Sequence, residues 1–285
     1  MVSAKRGLIA TTLLIALLSC MLCIISITTE NWLRATAVLS SRLHNEINYG
    51  IFSGCLNRQQ LASKLVFDLA VICDFDLGFC MYSCQRNATM RLDELNRIHS
   101  GITTIPCEQA YSAERIFRRK EISETPKINS LKQNVMQEGA YIPAYWWLCV
   151  LLSLMLTLIF DICAVTFALI NLYKNPVERI FNIFGLFIWN GVASVFAFLA
   201  VGLWTALYCQ HLTHNISITD TLRAEFTFDS NGRAKLGYSV YLLLFAALLN
   251  ACNLAVLWLR QRLLNRTNAQ PVMVVEETNI PLQFY

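Results

Sequence analysis

Four long apolar stretches divide the chain: 7–28, 145–173, 180–208 and 237–259. Each reaches the roughly 20 residues that a helix needs to cross a hydrocarbon core about 30 Å thick. Lipid offers backbone groups no hydrogen-bond partner, so each stretch must close its own bonds as a helix. The pattern predicts a membrane all-α fold, a four-transmembrane-helix bundle. The intervening segments are an amino-terminal tail (1–6), a large outer loop (29–144), a short turn (174–179), a second outer loop (209–236) and a tail (260–285). The first stretch follows Lys5 and Arg6 as a signal peptide would. Its apolar run outlasts the roughly 7 to 15 residues of a cleavable core, so a retained helix is expected.

Polar loops carry patterns of their own. Ala35–Leu39, Ile47–Phe52 and Val66–Phe79 are rich in β-branched and aromatic residues, with Gly50, Gly54 and Gly78 as breaks, which reads as short strands. Glu225–Phe228 alternates polar and apolar before Asn231-Gly232, a strong hairpin signal. A small extracellular β-sheet drawn from both outer loops is therefore predicted. Between Thr89 and Ile102, Met90, Leu92, Leu95 and Ile98 recur at helical spacing. The stretch onward to Glu138, with Arg118, Arg119, Lys120 and Pro126, reads as a solvated loop. Trp32, Trp146 and Trp147 flank the spans where indoles anchor at headgroups.

Composition narrows the class. With 55% apolar and 15% charged residues, this is no ordinary soluble domain, and a net charge of +4 implies no nucleic-acid partner. Lys5, Arg6, Lys174, Arg179, Arg260, Arg262 and Arg266 lie on one side, against Arg223, Arg233 and Lys235 in the second outer loop. The positive-inside rule then places both termini in the cytoplasm. Cys55, Cys73, Cys80, Cys84 and Cys107 fall in the first outer loop and Cys209 at the outer end of the third span, where disulfides form. Their connectivity is open. If all six pair, one bridge must leave the first loop, with Cys209 as the natural partner. Cys20, Cys23, Cys149, Cys163 and Cys252 lie within spans and read as inert thiols. Asn87 and Asn215 head glycosylation sequons on the outer side, whereas the sequon at Asn265 faces the cytosol.

Chemistry inside the membrane is sparse. Asp161, Asn190 and Asn250 lie at similar depths, about 15 Å from the cytoplasmic ends of their helices at about 1.5 Å per residue, and Asn253 stands one turn beyond Asn250 on the same face, which predicts one intramembrane polar layer. The plain role for such groups is to hold helices together. Gly185, Gly191 and Gly202 offer a site of close helix approach, without GxxxG spacing. His211 and His214 stand near Cys209, but no further ligand accompanies them, so no metal is expected. No phosphate-binding loop, zinc-protease helix or nucleophile triad is present, which argues against an enzyme and gives no cofactor. Val272–Val275 and the carboxy-terminal Leu282–Tyr285 form an apolar tail, either free or suited to a PDZ-type groove.

Trp32, Leu33, Arg34, Ala35 and Thr36 follow the first span, and Asn48, Tyr49, Gly50, Ile51, Phe52, Ser53 and Gly54 follow soon after. Together with the third span and the hairpin before the fourth, these clusters resemble the clarin family, four-span proteins distantly similar to claudins. The resemblance takes in the four helices and the early loop but not residues 85–138. It implies a non-catalytic plasma-membrane organiser, supporting membrane-domain organisation, trafficking and cytoskeletal or synaptic contacts in sensory cells. Trp32, Arg34, Thr36, Tyr49, Gly50, Phe52 and Gly54 are then the motif residues of a contact surface. Expected partners are membrane lipids, membrane or scaffold proteins, a cytoskeletal linkage and lateral copies of the same chain. The alternative is a pore-forming or channel-accessory subunit, as some claudin-like proteins are.

Overall fold

Every apolar stretch is a helix in the computed structural model, which describes residues 2–40, 43–59, 64–101, 107, 140–173, 183–222 and 228–268. The helices are α1 (Val2–Thr28), α2 (Ala88–His99), α3 (Ala144–Tyr173), α4 (Ile183–Leu207), α5 (Thr219–Leu222) and α6 (Tyr238–Asn268). Four of them, α1, α3, α4 and α6, are long and apolar enough to cross a membrane, and they mark a multi-pass membrane protein. A π-helical segment, Tyr208–Leu212, prolongs α4. Beyond Leu259, α6 continues through Arg260, Arg262 and Arg266. Arginine is a good helix former and its charge suits the carbonyl end of the helix dipole. Hydropathy marks where the apolar run stops, not where the helix does.

Buried positions recur at spacings of three and four. On α1 they are Thr12, Ala16, Ser19, Cys23 and Ser26; on α4, Asn190, Ala193, Ala197, Ala200 and Trp204. This seven-residue period keeps one seam turned inward, as in left-handed helix bundles. Small side chains on the seam let backbones approach closely, which matters where lipid supplies no hydrophobic drive for helix association. Of the glycines singled out on α4, Gly191 and Gly202 do not serve this purpose, since a Cβ on either would meet nothing within 4 Å. Around the bundle, α1 packs on α3, α3 on α4, α4 on α6 and α6 on α1.

At one end of the bundle stands a seven-stranded antiparallel sheet, in the order β6-β5-β4-β3-β2-β1-β7. Strands β1 (Leu33–Ser40), β2 (Leu43–Tyr49), β3 (Ser53–Gln59), β4 (Lys64–Asp74) and β5 (Phe79–Ser83) form a meander. Its edges are β6 (Ile142–Pro143) and β7 (Ala234–Leu236), the segments leading into α3 and α6. Both edges therefore end in a span, and β1 begins close after α1.

The sheet differs from expectation: the stretch 47–52 is strand only to Tyr49, in a β2 that starts at Leu43, and 66–79 is broken by a turn at 75–78 between β4 and β5. β3 has the weak strand sequence Ser-Gly-Cys-Leu-Asn-Arg-Gln, yet it pairs along its length with β2 and β4. Pairing on both sides overrides local propensity. The Asn231-Gly232 signal is a turn, with Gly232 at φ 68°, but it closes no local hairpin among the described residues. Asp229 before it and Ala234 after it both pair with β1, opposite Val38 and Ala35. The turn is an excursion of an edge strand, and the expected arm at Glu225 and Phe226 lies outside the described residues.

Candidate functional site

The motif residues of the early outer loop gather where the sheet joins the bundle. Trp32 is fully buried, donates its indole N–H to the Ser26 carbonyl at 2.7 Å, and meets Trp204 edge to face at 5.1 Å between centroids. Trp147, also buried, donates to the Ile51 carbonyl at 3.2 Å. The expected headgroup anchors at Trp32 and Trp147 are corrected: these indoles satisfy their N–H groups inside the protein and brace the joint. Tyr49 stacks on Tyr82 with centroids 4.1 Å apart, and its hydroxyl donates to the Ile216 carbonyl at 3.1 Å. Tyr82 donates to the Gly50 carbonyl at 2.6 Å. Burial pushes both phenols up from their ordinary range, and for Tyr49 the neighbouring Tyr82 adds to the effect.

Three backbones converge on the joint. A Cβ on Gly50 would lie 2.4 Å from the Thr29 carbonyl oxygen, one on Gly54 2.4 Å from the Tyr49 Cβ, and one on Gly237 1.8 Å from the Asn31 carbonyl oxygen. Glycine is required at such close approaches. The Gly237 amide donates to the Trp32 carbonyl at 2.9 Å, and the Ser239 amide to the Asn31 carbonyl at 3.1 Å. The end of α1 and the start of α6 are thus stapled. Outward from this joint point Arg34, Thr36 and Phe52, all exposed. Arg34 lies over the Tyr238 ring at 5.7 Å, and Phe52 meets Trp147 edge to face at 6.4 Å.

A second polar centre, not anticipated from the sequence, locks the two loops together. On the inward face of β3, Arg58 donates to Asp220 of α5 at 2.8 Å and to Asn45 of β2 at 3.3 Å. Its guanidinium also covers the Phe228 ring at 5.2 Å. The Arg58 and Asp220 side chains expose 6% and 0% of their surface, and removing one partner of so buried a pair costs about 3–5 kcal/mol. Glu94 of α2 accepts from Ser83 and from Thr219, the latter at 3.3 Å. Strand alternation puts Arg58 on the same inward face as Leu56, but only once Ser53–Gln59 is recognised as a strand.

Disulfides join Cys73 to Cys80, across β4 and β5, and Cys84 to Cys107. Closing a loop with a sequence separation of 23 contributes about 3 kcal/mol in the chain-entropy account. The six-cysteine scheme with a bridge to Cys209 is corrected. Cys209 is an exposed thiol on the π-helical segment, and Cys55, half-buried on β3 between β2 and β4, takes part in neither bridge.

The two outer sequons differ in geometry. Asn87 is exposed at the start of α2 and its side chain makes no capping hydrogen bond. Asn215 is committed: its Oδ1 accepts from the Ser217 amide and the Thr221 hydroxyl, each at 2.8 Å, and its Nδ2 donates to the Thr221 carbonyl at 3.2 Å. Ser217, the hydroxyl residue of that sequon, is itself fully buried.

Within the bundle, Asp161, Asn190, Asn250 and Asn253 are all fully buried and fall into two pairs. Asn250 Nδ2 donates to Asp161 Oδ1 at 2.7 Å, and the Ser19 hydroxyl lies 3.3 Å from Oδ2. One turn along α6, Asn253 Nδ2 donates to Asn190 Oδ1 at 2.8 Å and to the Thr12 carbonyl at 3.2 Å. All four spans meet here. Ser19 escaped the sequence reading because hydroxyls are common in spans, and Thr12 because it acts through its backbone carbonyl while its hydroxyl donates to the Leu8 carbonyl; their position on the inward seven-residue seam of α1 was the available signal. Asn250 Oδ1 and Asn253 Oδ1 are buried without a donor.

No protein-family model and no curated protein matches this chain. Arg118, Arg119, Lys120, Pro126, Lys174, Arg179, Arg223, Val272–Val275 and Leu282–Tyr285 lie outside the described residues.

Proposed function

We propose that this chain is a clarin-like, non-catalytic organiser of plasma-membrane domains, with both termini in the cytoplasm and the sheet on the outer face. The observation that carries this reading is the joint itself: the sheet is fixed to α1, α3 and α6 through β1, β6 and β7. Such a platform holds its outward side chains at a set height and angle above the bilayer, which suits lateral and extracellular contact. Arg34, Thr36 and Phe52 are the exposed motif residues available for it. Buried residues of the same motif, Trp32 and Tyr49, act by holding the platform in place. Scaffold, trafficking or cytoskeletal partners engage the cytoplasmic side, and lateral copies of the chain are part of the reading, as is a role in sensory cells.

Crosslinking the native protein in intact tissue, followed by gentle solubilisation and identification of what copurifies near stoichiometry, tests the proposal. Scaffold, adhesion, trafficking or cytoskeletal proteins are expected, and Arg34→Glu together with Phe52→Ala should deplete partners of the outer face. Recovery of channel subunits alone would replace this reading with that of a channel-accessory subunit.

A further inference from the structure

At the end of the bundle away from the sheet, α6 turns an arginine inward. Leu243, Ala246, Asn250, Asn253 and Leu257 occupy its buried seam, and Arg260 is the next position on it, only 9% exposed. Arginines near span ends ordinarily extend to the headgroups. This one does not, and its Nε and Nη1 atoms are buried with no hydrogen-bond acceptor among the described residues. Its neighbours differ: Arg262 stacks over the Trp258 ring at 3.8 Å, and Arg266 is exposed.

No acid of the spans can neutralise Arg260. Asp161 is the only carboxylate on α1, α3, α4 or α6, and it is engaged by Asn250. Arg260 lies ten residues beyond Asn250 on α6, about 15 Å along the axis at about 1.5 Å per residue. The facing end of α1 is basic in sequence instead, with Lys5 and Arg6. Asn253 meets the Thr12 carbonyl across the antiparallel α1, which sets the two helices in register. Seven residues further along each helix, the backbone positions of Lys5 and Arg260 stand at one height.

A buried guanidinium without a counter-charge is costly, and its planar N–H fork fits two oxygens of one phosphate. We infer that Arg260 is the core of an anion site in the mouth of the bundle opposite the sheet, and that its ligand is a phosphate-bearing headgroup of the inner leaflet, of the phosphoinositide class. Basic pockets between spans on the cytoplasmic side bind such headgroups. The choice of leaflet rests on the proposed orientation; binding of phosphate by the purified protein does not, so the two can fail separately.

The full-length protein is to be placed in nanodiscs of phosphatidylcholine, with and without phosphatidylinositol bisphosphate, and followed by thermal melting and by native mass spectrometry. The wild type should retain the phosphoinositide and melt higher in its presence. Arg260→Gln should weaken retention about tenfold or more, and Arg260→Lys, which keeps the charge but loses the fork, should fall between. Arg266→Gln should retain it as the wild type does. If Arg260→Gln does not fold, the wild-type shift and Arg260→Lys decide. Soluble inositol trisphosphate distinguishes the sources: displacement of the lipid shows that the headgroup phosphates alone are held, and resistance shows that the acyl chains take part. A wild-type protein that melts alike with and without phosphoinositide would overturn the site, as would wild-type retention by both Arg260 variants.

Discussion

Among single residues, Asp161 shows how far depth along a helix can be read from a sequence. Counting residues from the helix ends placed Asp161, Asn190 and Asn250 at one level with Asn253 a turn away, and all four are buried, as two pairs one turn of α6 apart. Counting could not resolve which side chain meets which, because pairing depends on helix rotation and on hydroxyls that carry no rarity signal. Ser19, through its hydroxyl, and Thr12, through its backbone carbonyl, complete the two pairs. Asp161→Leu would leave Asn250 Nδ2 without its acceptor in a setting where each interhelical hydrogen bond contributes about 0.6–2 kcal/mol, so a loss of about 1–3 kcal/mol is expected. Asp161→Asn keeps an acceptor for Asn250 and brings a donor to a neighbourhood where Asn250 Oδ1 lacks one; its stability should stay within about 1 kcal/mol of the wild type. Thermal melting in detergent and surface biotinylation read both variants. An Asp161→Leu protein that melts and reaches the surface as the wild type does would show that the layer does not hold the spans.

Elements were legible in proportion to how local their causes are. β2 is legible only in its last three residues, Ile47 to Tyr49, whereas the spans, β1, β4 and α2 follow from runs and periods within one segment. β3 and β7 do not. Ser53–Gln59 becomes a strand because β2 and β4 flank it, and Ala234–Leu236 because β1 leaves an edge open beside α6. With β3 unread, the inward-facing Arg58 and its ion pair with Asp220 stayed out of sight. The joint between β7 and α6 gives the element-scale prediction. The Gly237 position is so close to the Asn31 carbonyl that any side chain must move one backbone away from the other. Gly237→Ala should therefore break the Gly237 to Trp32 bond and expose Trp32, with a loss of about 2 kcal/mol or more. Gly232→Ala, in the nearby turn with open space around it, is the comparison: its positive φ makes it cost about 1 kcal/mol, without exposing the indole. Tryptophan fluorescence separates the two. An unshifted emission maximum in Gly237→Ala would mean that the sheet and bundle are not held together at this point.

For the whole molecule, the sheet, the bundle and the basic mouth form one axis, and its direction in the membrane decides what each end can meet. Charge asymmetry argued for the sheet outside, and the geometry of the sequons turns that argument into a measurement. A glycan needs a reachable asparagine on the lumenal side of the secretory pathway. Asn87 and Asn215 lie at the sheet end, Asn265 near the end of α6, so orientation selects between them. Accessibility then selects within the outer pair, because Asn87 is exposed and uncapped while Asn215 has both ends of its amide committed and Ser217 buried behind it. Expressed in animal cells, the wild type should carry one glycan removable by an N-glycosidase. Asn87→Gln should abolish it, whereas Asn215→Gln and Asn265→Gln should leave the mobility shift unchanged. A glycan lost in Asn265→Gln alone would invert the protein, put the sheet in the cytoplasm and move the Arg260 mouth to the outer leaflet. A glycan lost in Asn215→Gln alone would keep the orientation but show that modification precedes folding of the second outer loop, since the folded loop offers that asparagine to no enzyme.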